Sequence, residues 1–266
     1  NGSFQKIMTT REIVNIIESE YPKFSQEIWD NSGLLIDNEN ASISGILICF
    51  DITEDTINEA IEKNCNFIIS HHPLFINGLK KISQDTYTER VIRQAIKNDI
   101  AIYCCHTPVD KSRHGISFKM AEKLGLENVD FLSKDADKDF GLGIIGELKE
   151  VLEGTELVKL VKDTFSLPII RHSQLPSRKI KRVAFCGGSG ASLIGSALKA
   201  NADAYICGDI KHHDYFNSQE GILLIDAGHF ETEIAIKDLF FSVFSKKIPN
   251  FAVYLAKTDK SPINYF

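Results

Sequence analysis

Apolar and polar residues alternate along this chain in two rhythms, and the switches between them mark out its elements. Unbroken apolar runs fall at Gly45–Phe50, Asn66–Ser70 and Ile100–Cys105. Runs of that length and character suit strands buried on both faces. Before and between them the apolar positions recur at helical spacing. Thr10–Glu20 reads as a helix with a threonine cap and Pro22 as its stop. Thr53 opens a second helix through about Lys63, and Thr86–Lys97 is a third. Strand, helix, strand in that order predicts parallel neighbours joined by right-handed crossovers. Trp29–Leu34 is expected to be a turn-rich loop, and Ile116–Leu124 a short helix closed by Gly125.

The run Ser133–Asp139 is charged and aperiodic, the best candidate for a linker. Beyond it the pattern predicts a strand at Leu142–Leu148, a helix at Thr155–Phe165, a strand near Ile169 and another at Val183–Cys186. Then the earlier pattern returns. Residues 59–69, EAIEKNCNFII, lie over residues 196–206, SALKANADAYI, with alanine on alanine and asparagine on asparagine. Each is preceded by an apolar strand and followed by one that leads into a histidine and a carboxylate, His106 with Asp110 and His229 with Glu233. Any two strand–helix–strand units share some of this, but the shared register suggests a repeat. The expected fold is therefore α/β, two similar lobes with largely parallel or mixed sheets. The lobes are expected at residues 1–132 and 140–266, with 234–266 packing back on the first.

Composition narrows the class. Of 266 residues, 43% are hydrophobic and 25% charged, enough to bury an ordinary globular core. A net charge of −6 argues against a surface built for duplex nucleic acid, though it permits a local basic pocket. Neither a bilayer-spanning run nor a secretory signal pattern is visible. The six cysteines lie mostly in or beside strand-like runs and form no C-x-x-C pair, which suits reduced thiols in a cytoplasmic protein.

The candidate chemistry sits at predicted strand ends. Ser70-His71-His72-Pro73 follows one apolar run, His106-Thr107-Pro108-Val109-Asp110 a second, and His229-Phe230-Glu231-Thr232-Glu233 a third. A lone histidine there would be read as a polar strand cap. Three strand ends carrying imidazole or carboxylate are better read as ligands for a pair of divalent ions. The expected set is His71, His72, Asp110, His229 and Glu233, with Glu233 suited to bridge two mutually repelling ions. His71 and His72 either converge through a bend at Pro73 or serve different ions. His106, His212, His213 and Asp209 are expected to orient ligands or move protons. For His212 and His213 the alternative is surface polarity, and His114 and His172 are expected to be structural or surface residues. Cys186-Gly187-Gly188-Ser189-Gly190 could cradle phosphate but lacks a P-loop ending, and a tight strand-to-helix turn explains it as well. Cys104 and Cys105 are read as buried strand residues rather than thiolate ligands.

These pieces together resemble the NIF-three-like dinuclear metal-centre family, the GTP cyclohydrolase 1 type 2 homologues. The matching motifs are Asp30-Asn31-Ser32-Gly33-Leu34, Ser70-His71-His72-Pro73, His106-Thr107 with Asp110, Gly187-Gly188-Ser189-Gly190, Gly208-Asp209 with His213, and Asp226-Ala227-Gly228-His229 with Thr232-Glu233. The family's His-Thr-Asn-Leu-Asp is here His106-Thr107-Pro108-Val109-Asp110. The resemblance implies the same five ligands and two ions of zinc, iron, manganese or nickel. It also implies a ring-shaped homohexamer without the inserted domain of longer members. The implied activity is metal-dependent hydrolysis of a nucleotide such as GTP, with water attack at C8 and formate release. Glu233, His106 and His213 are the expected catalytic groups, and Lys80, Lys81, Lys111, Arg113 or Lys211 would meet the triphosphate. The alternatives are a metal-dependent phosphoesterase and a non-catalytic metal-binding adaptor.

Overall fold

The computed structural model describes residues 7–38, 42–135 and 139–266. The chain forms two compact units, Asn1–Val109 with Ile236–Lys260, and Asp110–Ala235 with Ser261–Phe266. These bounds differ from the expected 1–132 and 140–266, for a reason that lies in the charged run. Ser133 and Lys134 pair with Leu142 and Gly141 at the end of an antiparallel ladder. Ser133–Asp139 thus joins two neighbouring strands of one sheet, and its residues 136–138 lie outside the described residues. The strand leading into it, Leu126–Lys134, buries Leu126 and Phe131 and leaves most of its polar residues at the surface. A half-solvated antiparallel strand of that composition carries little apolar signal.

In the first unit a five-stranded sheet runs in the order Val253–Leu255, Ile46–Cys49, Phe67–Ser70, Ala101–Cys104, Gly33–Ile36. The first four strands are parallel and the last is antiparallel. Gly33 and Leu34, expected in a loop, begin that last strand. The three inner strands are buried at every position, which is why they read as unbroken apolar runs. Helices Thr10–Glu20, Glu54–Glu62 and Tyr87–Lys97 each start from a threonine (Thr9, Thr53, Thr86) whose side chain accepts a backbone N–H of the first turn. Ile57, Val91 and Ile92 pack with Leu47, Ile68 and Ile102 in one core. Helix Ile236–Lys247 also belongs to this unit.

The second unit holds a six-stranded mixed sheet in the order Leu126–Lys134, Gly141–Leu152, Ile180–Ser189, Ala204–Gly208, Leu223–Asp226, Arg171–His172. The strand expected near Ile169 is this last, two-residue piece. Strands Ile180–Ser189, Ala204–Gly208 and Leu223–Asp226 are parallel, as are Ile46–Cys49, Phe67–Ser70 and Ala101–Cys104 in the first unit. The repeat has a physical basis. Ala60 and Ala197 are both fully buried. Asn64 and Asn201 both turn the chain out of a helix with φ of +54° and +53°. Asparagine tolerates this left-handed conformation better than most side chains. His71, His72, His106 and His229 all follow the carboxyl end of a parallel strand, where open α/β sheets place their functional groups.

Candidate metal centre

In the first unit the two consecutive histidines converge. The N–H of His71 donates to the Cys49 carbonyl at 3.3 Å and that of His72 to the Phe50 carbonyl at 3.1 Å. Ser70 Oγ donates to the His72 carbonyl at 2.8 Å, which fixes the bend just before Pro73. The His71 and His72 ring centroids lie 4.7 Å apart, and His106 stands edge-on to them at 5.2 and 5.5 Å. One ligand atom from each of the three lies within 4.8 Å of the others. Phe50 packs on His71 at 5.5 Å and on His72 at 4.5 Å and forms the apolar floor.

Each of these rings is anchored through Nδ1. His71 Nδ1 meets the Cys105 carbonyl at 3.2 Å, His72 Nδ1 meets Asp51 Oδ1 at 2.8 Å, and His106 Nδ1 meets Asp30 Oδ1 at 2.8 Å. A carbonyl oxygen only accepts, so the His71 proton sits on Nδ1 and the Nε2 lone pair is the one offered elsewhere. The carboxylates impose the same tautomer on His72 and His106, an arrangement typical of metal-ligating histidine. Asp30 is itself held rigidly. Thr107 N–H and Ser32 Oγ donate to its Oδ2 at 3.1 and 2.8 Å, and Thr107 Oγ1 at 2.5 Å. Burial pushes the Asp30 carboxyl up, but His106, Thr107 and Ser32 outweigh it and hold the group well below the usual carboxylate range. Cys104 and Cys105 are buried, and Cys104 Sγ donates to the His71 carbonyl at 3.0 Å. Burial keeps the Cys104 thiol well above its ordinary pKa, as a strand residue rather than a thiolate ligand.

The second unit presents its own pair. His229 and Glu233 begin and end one short helix, a turn apart, with His229 Nε2 3.1 Å from Glu233 Oε2. Asp209 Oδ2 holds His229 Nδ1 at 2.7 Å, from a residue at φ +55° directly after Gly208. Glu233 is buried against the glycine-rich run, so Gly187–Gly190 has an assignment. Gly187, Gly188 and Ser189 are the end of a strand, and Gly188 N–H donates to Thr232 Oγ1 at 3.0 Å. The bare backbone there makes room for Glu233 and not for a phosphate loop. Asp110 closes the single turn Thr107–Asp110, four residues after His106.

The remaining candidates lie elsewhere. His212 and His213 stand on a 3-10 helix, His212–Glu220, with their rings against each other and Phe216. Among the described residues no ligand cluster includes His213. His172 Nδ1 pairs with the Ser173 carbonyl. Of the expected phosphate-binding residues, Lys111 pairs with Asp135 at 3.2 Å and Arg113 with Asp130 and Asp139. Asp51 has no place in the sequence reading, and Asp30 enters it only in a turn and in the motif Asp30–Leu34, with no role of its own. Each binds a histidine far along the chain, so no local pattern reveals the role.

Residues 8–262 match the profile of the family described as Duf34/NIF3 (NGG1p interacting factor 3). The chain belongs to the Duf34/NIF3 family. It is 36% identical over 231 residues to a Clostridium acetobutylicum protein named GTP cyclohydrolase 1 type 2 homolog, covering 85% of each chain. It is 33% identical to a Campylobacter jejuni protein of the same name, over 97% of this chain and all of that one. A Staphylococcus aureus hypothetical protein of known structure superposes with TM-score 0.89 at 28% identity, covering 98% of this chain and 100% of the other. A Bacillus cereus protein related to NIF3 does so with TM-score 0.90 at 24% identity, over 98% and 100%. In this Duf34/NIF3 protein the anchored imidazoles of His71, His72 and His106 form a group able to bind a metal ion. Neutral nitrogen and anionic oxygen donors suit zinc, iron, manganese and nickel alike. Among the described residues no helix is long and apolar enough to cross a membrane.

Proposed function

We propose that this Duf34/NIF3 protein is a metal-dependent hydrolase that opens the ring of a nucleotide such as GTP. In this reading His71, His72, Asp110, His229 and Glu233 hold two divalent ions. One observation carries it: His71, His72, His106 and His229 are all tied at Nδ1 to an oxygen of the protein, which fixes each ring and turns Nε2 to other use. Histidines that merely finish a strand need no such uniform anchoring. The relatives' name, GTP cyclohydrolase 1 type 2 homolog, supports the choice of substrate.

A bound divalent ion lowers the pKa of a water towards neutrality and polarises the bond under attack. The residues of the chain supply the rest. His106, backed by Asp30, is placed to take a proton at Nε2 while Nδ1 stays committed. Glu233 holds its carboxylate in a buried position against glycine backbone. His213, on its exposed helix, is kept in this reading as a further proton carrier. The same reading takes the protein to be a cytoplasmic homohexamer, which light scattering of the purified protein would check.

The test is metal analysis of untagged protein followed by incubation with GTP. Two ions per chain and release of formate are expected, both lost in the His71→Ala/Glu233→Ala variant. Release of phosphate without formate would replace this reading by a phosphoesterase. Bound metal with no turnover of any nucleotide would replace it by a metal-binding adaptor.

A further inference from the structure

Within the first unit, the turn Phe50-Asp51 makes three of the contacts that set the histidine pair. The Phe50 carbonyl accepts the His72 N–H, the Phe50 ring packs on both imidazoles, and Asp51 Oδ1 holds His72 Nδ1 at 2.8 Å. Both N–H groups of this turn go to one side chain from far along the sequence. Asp259 Oδ2 accepts from Phe50 at 3.0 Å and Oδ1 from Asp51 at 3.3 Å. A carboxylate that spans two consecutive amides fixes the direction in which both point. Thr56 Oγ1 reaches the Asp51 carbonyl at 3.2 Å, but it leaves the amide side of the turn to Asp259.

Asp259 is delivered there by a segment that is itself pinned. Strand Val253–Leu255 runs beside Ile46–Cys49, and the Ala256 N–H extends the ladder to the Ile48 carbonyl at 2.8 Å. Glu59, buried on helix Glu54–Glu62, then accepts the N–H groups of Lys257 and Thr258 at 2.9 Å each and the Thr258 hydroxyl at 2.8 Å. Lys237 closes the arrangement, with Nζ 2.7 Å from Asp259 Oδ2. The Asp259 side chain is only 2% exposed, so water does not stand ready to replace it as the acceptor. Without an acceptor the amide of Phe50, a buried residue, forfeits about 1–3 kcal/mol where it stands, and the turn lowers that cost by rotating toward water. Such a rotation carries the Asp51 carboxylate with it.

We infer that Asp259 is a positioning residue for the metal centre: through the Phe50-Asp51 turn it keeps Asp51 on His72 Nδ1 and so holds the His72 ring ready for a divalent ion. The inference deepens the hydrolase reading and rests on it for the role of His72 as a ligand. It also divides the work of Asp259 in two. Pairing with Lys237 serves the stability of the fold, whereas accepting from the two amides serves the histidine. The second task needs an acceptor oxygen and not a charge, so substitution can separate the two.

The experiment compares two variants that both lack the ion pair. Lys237→Met/Asp259→Leu leaves the turn no acceptor, whereas Lys237→Met/Asp259→Asn keeps a carbonyl oxygen in place. Zinc affinity is measured by competition with a chromogenic chelator, and stability by urea denaturation. The leucine variant is expected to bind zinc about tenfold more weakly than wild type, and the asparagine variant within about threefold of it. The leucine variant should nevertheless be the more stable of the two, since a buried amide costs more than an apolar side chain. Affinity and stability should therefore rank the variants in opposite orders. Crystal structures of the metal-free proteins give a second readout. Asp51 is expected beyond hydrogen-bond distance of His72 Nδ1 in the leucine variant and in its wild-type place in the asparagine variant. Wild-type zinc affinity in the leucine variant, equal losses in both, affinity that tracks stability, or an unmoved Asp51 each overturns the inference. The two readings fail separately. Should wild type bind no zinc, the hydrolase reading falls and the metal-free structures alone decide the role of Asp259. Should zinc affinity depend on Asp259 in a protein that releases no formate from GTP, the hydrolase falls and the positioning role stands.

Discussion

A Cβ atom at Gly188 would fall 2.6 Å from the carboxyl carbon of Glu233, so the carboxylate occupies the space that the missing side chain leaves. Gly188 also sits at φ +60°, where an L side chain is strained by about 1–2 kcal/mol. Gly188→Ala should therefore do two things at once. It should lower the unfolding free energy by about that amount and push Glu233 off its seat. Metal analysis of the folded variant is expected to show lost or substoichiometric metal. Full metal content would mean that Glu233 is not a ligand or that it has a second seat.

Asp51 should matter to metal affinity without touching the metal. It reaches His72 Nδ1 at 2.8 Å from the turn after strand Ile46–Cys49, and its own side chain is 44% exposed. Asp51→Ala then leaves little buried charge behind, and stability should change by less than about 1 kcal/mol. Loss of the partner that fixes the ring and its tautomer is expected to weaken metal binding about 10–100-fold. Competition with a chromogenic chelator reads this directly. An unchanged affinity would show that His72 is oriented by packing on Phe50 alone.

These two residues mark where the sequence stops being legible. The strands under the histidines read clearly because they are buried on both faces, as Ile46–Cys49, Phe67–Ser70 and Ala101–Cys104 are. A histidine directly after such a run must lie at a sheet end, so His71, His72, His106 and His229 were visible. The ring-holding roles of Asp30 and Asp51 were not, because an aspartate in a turn looks the same whether it caps the turn or holds a ring 76 or 21 residues away. Gly188 hid behind a phosphate-loop look-alike, since the pattern could not say that a glutamate 45 positions on would fill its place. Strand Leu126–Lys134 was lost to its charges, and Val253–Leu255 to its brevity at a sheet edge.

Asp30 gives a pH prediction with a definite sign. Its carboxyl lies below the unfolded value of about 3.9 because His106, Thr107 and Ser32 stabilise the ionised form against the opposing effect of burial. A depressed pKa adds stability above the unfolded pKa, and that stability is lost as pH falls through the folded one. Asp30→Asn keeps the shape and removes the charge. At pH 7 it should unfold about 2 kcal/mol more easily than wild type in urea. The gap should hold down to about pH 5 and close progressively below pH 4, as the wild-type carboxylate is protonated. A gap independent of pH between 6 and 2 would show that the ionised state of Asp30 contributes nothing to stability.

The pair Lys237 and Asp259 is the buried charge most exposed to mutation. Lys237 Nζ lies 2.7 Å from Asp259 Oδ2 and donates to the Ala256 carbonyl at 2.6 Å. Asp259 in turn accepts the N–H groups of Phe50 and Asp51 at 3.0 and 3.3 Å, on the turn that shapes the floor beneath His71 and His72. The two side chains are 12% and 2% exposed, so neither can recover its hydration when the other is removed. Asp259→Ala is expected to cost about 3–5 kcal/mol because it strands an ammonium in the interior. Lys237→Met alone should cost a similar amount, through an uncompensated carboxylate. The double variant Lys237→Met/Asp259→Leu should recover much of that loss, since a buried pair exchanged for apolar side chains of similar volume is often close to neutral. Recovery should stop short of complete, because the N–H groups of Phe50 and Asp51 lose their acceptor in the double variant. Chemical denaturation of the four proteins closes the cycle. Additive single effects would mean that the ion pair carries no coupling and that each charge is stabilised by its backbone partners alone.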